Sequence, residues 1–414
     1  MRAAVLILLI SVAVGAVPQE ARGQDGGGYE LLPAPDLWYN DVDGIRLGIR
    51  LRGQVPGTFQ DGPHRLDLGV WLGTWWPEHP LSYYLSLTEP IPSLSAFNSE
   101  ASVRLESSIR TGLHRHRISF NKRWQPGFDE MTYRELSVFG RVERRYDTEY
   151  QPFRNFWNTE WMGLAGASLQ ARGSHGGGPW LVHGGLQVSV AREYGDPFAR
   201  FTAELQQRLD LGEPFALHAR LFGGFAGEDV PPQYRFLRSM RSPAGWADQG
   251  LTRAKGTIPQ AWLTDGFIQV GGGPNLRGYT WRDIGELNQA SFSEGEPGPL
   301  FRSVSSLNLE LQFPNPLDQL IKETPIIGEL LELRSYLFFD AGASLNREAD
   351  LHPDGNLLAD AGPGFMLSLN IPDYLGKPRG IMIRYDLPLW LSRPGQEKAF
   401  KFRNIIGLGA VISL

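Results

Sequence analysis

Apolar residues recur at every second position over much of this chain. Ile45, Leu47, Ile49 and Leu51 alternate with Arg46, Gly48, Arg50 and Arg52. Leu307, Leu309, Leu311 and Phe313 alternate with Asn308, Glu310 and Gln312. Leu337, Phe339 and Ala341 oppose Phe338, Asp340 and Gly342. A period of two places successive side chains on opposite faces of a β-strand. An apolar row facing outward and a polar row facing inward is the pattern of a membrane β-barrel wall.

The same reading predicts strands at 64–75, 81–90, 100–109, 113–123, 131–144, 158–172, 180–193, 197–211 and 215–227. Five more follow at 303–314, 333–345, 360–370, 379–391 and 402–414. Asn40-Asp41-Val42-Asp43-Gly44 has tight-turn chemistry and folds a first strand, Asp36–Asn40, onto the strand that begins at Ile45. Pro33 and Pro35 are expected to keep that first strand short. In the last strand Leu408, Ala410, Ile412 and Leu414 are expected outward, and Gly407, Gly409, Val411 and Ser413 inward. The predicted fold class is therefore all-β: a transmembrane antiparallel β-barrel of about 16 strands, with both ends periplasmic. By that parity the long irregular stretch 228–302 begins on the extracellular side, and its length marks it as functional. The periplasmic connection 315–332 is predicted to hold a short amphipathic helix within Asp318 to Leu331.

Composition fits this picture. Of 414 residues 21% are charged, 11% aromatic and 49 are glycine, yet mean hydropathy is mildly negative at -0.26. Short strands with a polar interior and Gly-rich connections give that mixture. Residues 1–23 read as a signal peptide: Arg2 precedes an apolar run from Ala3 to Ala16, and Ala21-Arg22-Gly23 offers a cleavage site. Residues 24–35 then form a periplasmic leader and 36–414 the barrel. With no cysteine, disulfides and thiolate metal sites are excluded. A net charge of -5 argues against nucleic acid.

Candidate chemistry centres on Gly271-Gly272-Gly273-Pro274-Asn275-Leu276-Arg277-Gly278-Tyr279. Glycine and proline crowd its start, so it continues neither strand nor helix. It ends in a guanidinium and a phenol, which make specific polar contacts. Glu310 and Asp340 are the best acceptors downstream, since both lie on faces opposite an aliphatic row. The segment reads as a clasp in which Arg277 reaches those acids; the plain alternative is one Arg–acid pair among many in a polar interior.

Signals for enzymatic chemistry are weak. His114-Arg115-His116 lacks the spacing and carboxylate of a zinc helix, and Gly166-Ala167-Ser168-Leu169-Gln170 lacks the last glycine of a nucleophile elbow. Gly271–Gly273 lacks the Gly-Lys-[Ser/Thr] of a phosphate loop. The expectation is a protein without enzymatic activity, metal or cofactor. The basic inner positions Arg46, Arg50, Arg52, Arg115 and Arg117 either favour anions or pair with acids such as Asp67, Glu106 and Asp386.

Leu276-Arg277-Gly278-Tyr279 resembles the [VI]-R-G-[FY] motif of the BamA/TamA and two-partner-secretion transporter superfamily, the bacterial surface antigen barrels. The five strands after it, Phe339-Asp340-Ala341-Gly342 and the terminal strand are similar in order and spacing; upstream, Leu85-Ser86-Leu87-Thr88-Glu89-Pro90 resembles the family's fourth-strand ending. The resemblance covers most of 36–414 and is strongest from 266 onward. It implies an outer-membrane location, with the motif on a sixth extracellular loop folded into the lumen and Arg277, Gly278 and Tyr279 clasped against Glu310 and Asp340. It implies assistance in inserting or translocating proteins or lipids, through a lateral seam where Leu37, Trp38 and Tyr39 meet Ile412 and Leu414. Expected partners are outer-membrane lipids and unfolded outer-membrane protein clients. Family members usually carry POTRA domains before the barrel, and this sequence resembles the short forms without them. Two other functions therefore stay open: a passive pore or surface antigen, and a membrane anchor for a separately encoded periplasmic partner.

Overall fold

Alternation of β-branched and aliphatic residues with polar ones builds one large antiparallel sheet. In the computed structural model, residues 30–40, 43–55, 64–75, 80–110, 112–127, 129, 131–146, 148, 156–212, 214–246, 268–279, 300–325, 327–345, 357–373, 376–395 and 397–412 are described. The expected signal peptide, the first half of the leader, the middle of the long loop and Leu414 lie outside them. The strands are β1 (Glu30–Asn40), β2 (Gly44–Gln54), β3 (Arg65–Gly73), β4 (Leu81–Pro90), β5 (Ser99–Arg110) and β6 (Leu113–Trp124). Next come β7 (Tyr133–Arg145), β8 (Met162–His175), β9 (Gly178–Arg192), β10 (Ala199–Asp210), β11 (Ala216–Ala226) and β12 (Ile268–Val270). The chain ends with β13 (Ser303–Phe313), β14 (Leu331–Leu345), β15 (Leu357–Asp373), β16 (Gly376–Asp386), β17 (Trp390–Leu391) and β18 (Ile405–Leu408).

From β1 to β11 each strand pairs antiparallel with the next. The order then skips β12: β11 pairs with β13, followed by β14, β15, β16 and β18. The connection between β13 and β14 is helical, at Pro316–Glu323 and Ile327–Leu330. Asn315 caps the first of these helices by accepting from Leu317 N at 2.9 Å.

The two faces of the sheet differ as the alternation requires. Ile45, Leu47, Ile49, Val70, Leu72, Leu186, Leu221, Leu337 and Ile383 are exposed on one face. Arg46, Glu143, Arg220, Asn308, Glu310, Asp340 and Asp386 are buried on the other. Burial of so many charges is tolerable only where they pair. The long loop after β11 packs on that polar face, where Phe236 and Phe301 exchange backbone hydrogen bonds of 2.8 Å. Their rings join Phe198, Phe222, Tyr234 and Val304 in the largest buried apolar cluster among the described residues.

Two expectations about the sheet's ends are corrected. The first strand is not short: β1 pairs with β2 along its whole length, from Glu30 opposite Gln54 to Asn40 opposite Gly44. Pro33 and Pro35 fit because in an antiparallel ladder alternate residues direct N–H and C=O away from the partner, and both prolines have that parity. The last strand, conversely, stops at Leu408. Gly409 has φ 82°, a left-handed conformation that turns the chain off the sheet. Ile412 is consequently fully buried rather than outward. Among the described residues no ladder joins β1 to β18. Instead β12 lies parallel along β18, with Ile268, Gln269 and Val270 opposite Ile406, Gly407 and Leu408.

Candidate functional site

The loop segment that follows β12 is bent by its own sequence. Gly272 and Gly273 have φ of 116° and 71°, and Asn275 is the one non-glycine among the described residues at positive φ, 53°. A Cβ on Gly273 would lie 2.6 Å from the Met240 carbonyl oxygen, so glycine is required there twice over. This bend carries Leu276, Arg277 and Tyr279 into the interior, where all three are buried.

Arg277 meets Asp340 as a two-point fork: Nε donates to Oδ2 at 2.8 Å and Nη2 to Oδ1 at 2.9 Å. Its backbone N–H also points to Oδ2, at 3.3 Å. Nη1 donates to Glu310 Oε1 at 2.9 Å and lies 3.6 Å from Asp386 Oδ1. The guanidinium stacks over the Phe338 ring, 4.0 Å from its centroid. Burial works against the charge, but Asp340, Glu310 and Asp386 together raise the Arg277 pKa well above the ordinary arginine value. It remains a cation in the interior.

Each acid has further donors. Glu310 also accepts from Arg334 Nη2 at 3.1 Å. Asp386 accepts from the Tyr336 hydroxyl at 2.6 Å and from Arg384. Asn308 Nδ2 reaches Asp340 Oδ1 at 2.9 Å and the loop carbonyls of Pro274 and Asn275 at 3.2 and 3.1 Å. Arg220 in turn donates to Asn308 Oδ1 at 2.9 Å and to Glu204 at 2.6 Å. A network satisfied at so many points is rigid, and losing one member strands the others.

Gly278 and Tyr279 complete the seat. A Cβ on Gly278 would come within 2.3 Å of Leu391 Cδ2 and 2.8 Å of Asp360 Cβ. The Tyr279 hydroxyl donates to Ala359 O at 3.2 Å, lies 3.1 Å from Ser392 Oγ, and accepts from Arg393 N at 3.1 Å. The motif thereby links β13, β14 and β15 to the segment around β17. It also touches β12, since Gln269 Nε2 donates to Arg277 O at 3.3 Å. Gly271 N donates to Leu408 O at 2.8 Å, extending the contact with the last strand.

The structure thus brings Arg277, Gly278, Tyr279, Glu310 and Asp340 together. Among the described residues the expected seam is not seen. Leu37 and Tyr39 are exposed and pair, like Trp38, only with β2. Ile412 lies past the end of β18, and Leu414 is outside the described residues. Sequence reasoning missed Asp386, Asn308, Tyr336, Arg334 and Arg384 as clasp residues. Asn308 and Tyr336 share an inward face with the expected acids, and that parity was the available signal.

The basic inner faces resolve differently from position to position. Arg46 lies 3.4 Å from Asp43 and stacks on Trp71, Arg115 pairs with Glu143, and Arg117 stacks over Phe139 at 4.4 Å. Asp67, Glu106 and Asp386 pair instead with Arg65, Arg104 and Arg384. Among the described residues no cluster of His, Asp and Glu converges as metal ligands.

No family model matches the chain, and no curated protein matches it in sequence. Among solved structures it is similar to BamA from Haemophilus ducreyi lacking POTRA domains 1-3, at 11% identity and TM-score 0.45, over 92% of this chain and 69% of that one. It is also similar to CdiB from Acinetobacter baumannii, at 13% identity and TM-score 0.40, over 91% of this chain but only 59% of that one. A third is Wzi of Escherichia coli, described as a carbohydrate-binding β-barrel involved in group 1 capsule assembly, at 10% identity, TM-score 0.33 and coverage of 91% and 80%.

Proposed function

We propose that this chain is an outer-membrane β-barrel of the BamA/TamA-like type that assists polypeptides or lipids in entering or crossing the outer membrane, without covalent catalysis. Support for the membrane setting comes from the sheet itself. A face carrying exposed Ile, Leu, Val and Phe on strand after strand is stable only against lipid, and the buried charges of the other face need an enclosed interior. The arginine clasp holds the long loop inside that interior.

One observation carries the functional reading. Among the described residues the last strand spends its outer edge on three loop residues rather than on a ladder to β1. A parallel contact of three residues is weak beside the eleven paired positions of β1 and β2. Such a junction is the place where the wall can part and admit a chain or lipid from the side. A passive pore would have no use for it, and the inserted loop obstructs the interior.

Depletion in the native host tests this. The reading expects other outer-membrane proteins, or a particular surface lipid or polypeptide, to fall in abundance and accumulate in the periplasm. Steady conductance of the purified protein in planar bilayers, with unchanged envelope composition on depletion, supports the pore instead. Stoichiometric co-purification of a soluble periplasmic protein supports the anchor.

A further inference from the structure

A second charged cluster lies apart from the clasp, at the end of β6, β7 and β8 nearest the long loop. Glu143 accepts from Arg115 Nε at 2.9 Å and lies 3.1 Å from Arg141 Nε. Its other oxygen accepts the hydroxyl of Tyr234, carried by the long loop. That carboxylate is fully committed. Arg145, two residues further along the same face, is 7% exposed, and its guanidinium stacks 4.4 Å from the Trp157 centroid. Its Nη1 is buried with no acceptor among the described residues. Arg200 nearby donates only to neutral oxygens, Tyr234 O at 2.9 Å and Ser242 Oγ at 3.0 Å.

Beside Arg145 is a cavity of about 20 Å³, lined by Arg115, Glu143, Arg145, Trp157, Asn158 and Tyr234 among others. Glu143 is the one carboxylate among its described lining residues. An aromatic face attracts the cation but accepts none of its N–H groups in their plane. Among the described residues Arg145 shares its nearby carboxylate, Glu143, with Arg115 and Arg141; a water beside Nη1 would satisfy a hydrogen bond while leaving the shared charge in place. The volume suits a single water or monatomic ion rather than a polyatomic oxyanion.

We propose that this cavity binds a monovalent anion of chloride size, held by Arg145 Nη1 and bordered by Arg115 and Asn158. Glu143 on its wall disfavours a second negative charge, so a divalent anion is rejected. The bound ion completes the neutralisation that Glu143 begins, and fixes the loop residue Tyr234 against β7. The site is independent of whether the protein inserts or transports anything.

Crystals of the full protein grown in bromide test it directly. An anomalous peak within about 3.5 Å of Arg145 Nη1 is expected; a water there, or an empty cavity, overturns the proposal. In detergent, chloride should raise the thermal midpoint over gluconate at equal ionic strength, by about 2 °C per tenfold concentration above saturation. Arg145→Gln should lose that chloride-specific increment and the bromide peak. A chloride effect of the same size in Arg145→Gln counts against the site, and if that variant does not fold, the bromide experiment on the unaltered protein decides alone.

Discussion

Arg277 and Asp340, 63 residues apart in the chain, meet through two parallel hydrogen bonds of 2.8 and 2.9 Å with neither side chain exposed to solvent. A planar fork matched to a carboxylate gains both bonds from one fixed geometry, which an ammonium cannot reproduce. The contact joins a loop to the wall against which it lies.

Replacing Arg277 by alanine leaves Asp340, Glu310 and Asp386 facing one another without their shared cation. Loss of one partner from a buried pair costs about 3–5 kcal/mol. The variant should still reach the membrane as a folded sheet, but unfold at lower temperature on a semi-native gel and be cut faster by protease in the long loop. Arg277→Lys should restore little, because it offers a point charge instead of a fork. Wild-type resistance to heat and protease in both variants would show that the clasp bears no load.

Gly278→Ala is a smaller change with a comparable local effect. Its methyl group collides with Leu391 and Asp360, both backed by β15 and β17. Overpacking of this kind costs about 1–3 kcal/mol. The expected outcome is release of Tyr279 from Ser392, seen as faster hydrogen exchange at residues 276–279 with the strands themselves unaffected. Retained protection there would mean that the loop has room the geometry denies it.

Val270 and Leu408 are register partners across the parallel contact of β12 with β18. Cysteines at both positions should form a disulfide on mild oxidation, since neighbouring strands lie about 4.8 Å apart and disulfides span Cα separations of about 4.4–6.8 Å. If the edge of the last strand must be vacated for function, the oxidised protein is inactive in the envelope and dithiothreitol restores it. Full activity while cross-linked would exclude any role for that edge.

Glu397 offers a pH test outside the strands. The Lys401 hydrogen bond chiefly, then that from Arg403, hold its carboxyl below the ordinary glutamate value. A depressed folded pKa contributes stability above the unfolded pKa and loses it as pH falls through the folded one. Segment 397–403 should therefore loosen below about pH 4, by a small amount that salt reduces further because the side chain is 35% exposed. Hydrogen exchange corrected for intrinsic rates should show this step in the wild type and not in Glu397→Gln.

Much of the wall was legible from alternation alone. A period of two fixes which residues share a face, so Glu310 and Asp340 could be assigned to the polar side without knowing what lay opposite. The arginine stood out because a Gly- and Pro-rich segment ending in a guanidinium has no strand to join. Local sequence thus determined the strands, their faces and the bearer of the clasp. Only the tertiary structure decided which inward groups surround Arg277, because Asp386, Asn308 and Arg384 resemble every other polar inward residue until the loop's path is known. It also decided the ends of the sheet. The prolines of β1 are harmless on an edge that has no partner strand among the described residues, Gly409 turns Ile412 inward, and the pairing of Ile268–Val270 with the last strand is too short to leave a periodic signal. These are contacts between segments far apart in the chain, and their free energy depends on where the rest of the chain has placed the partner.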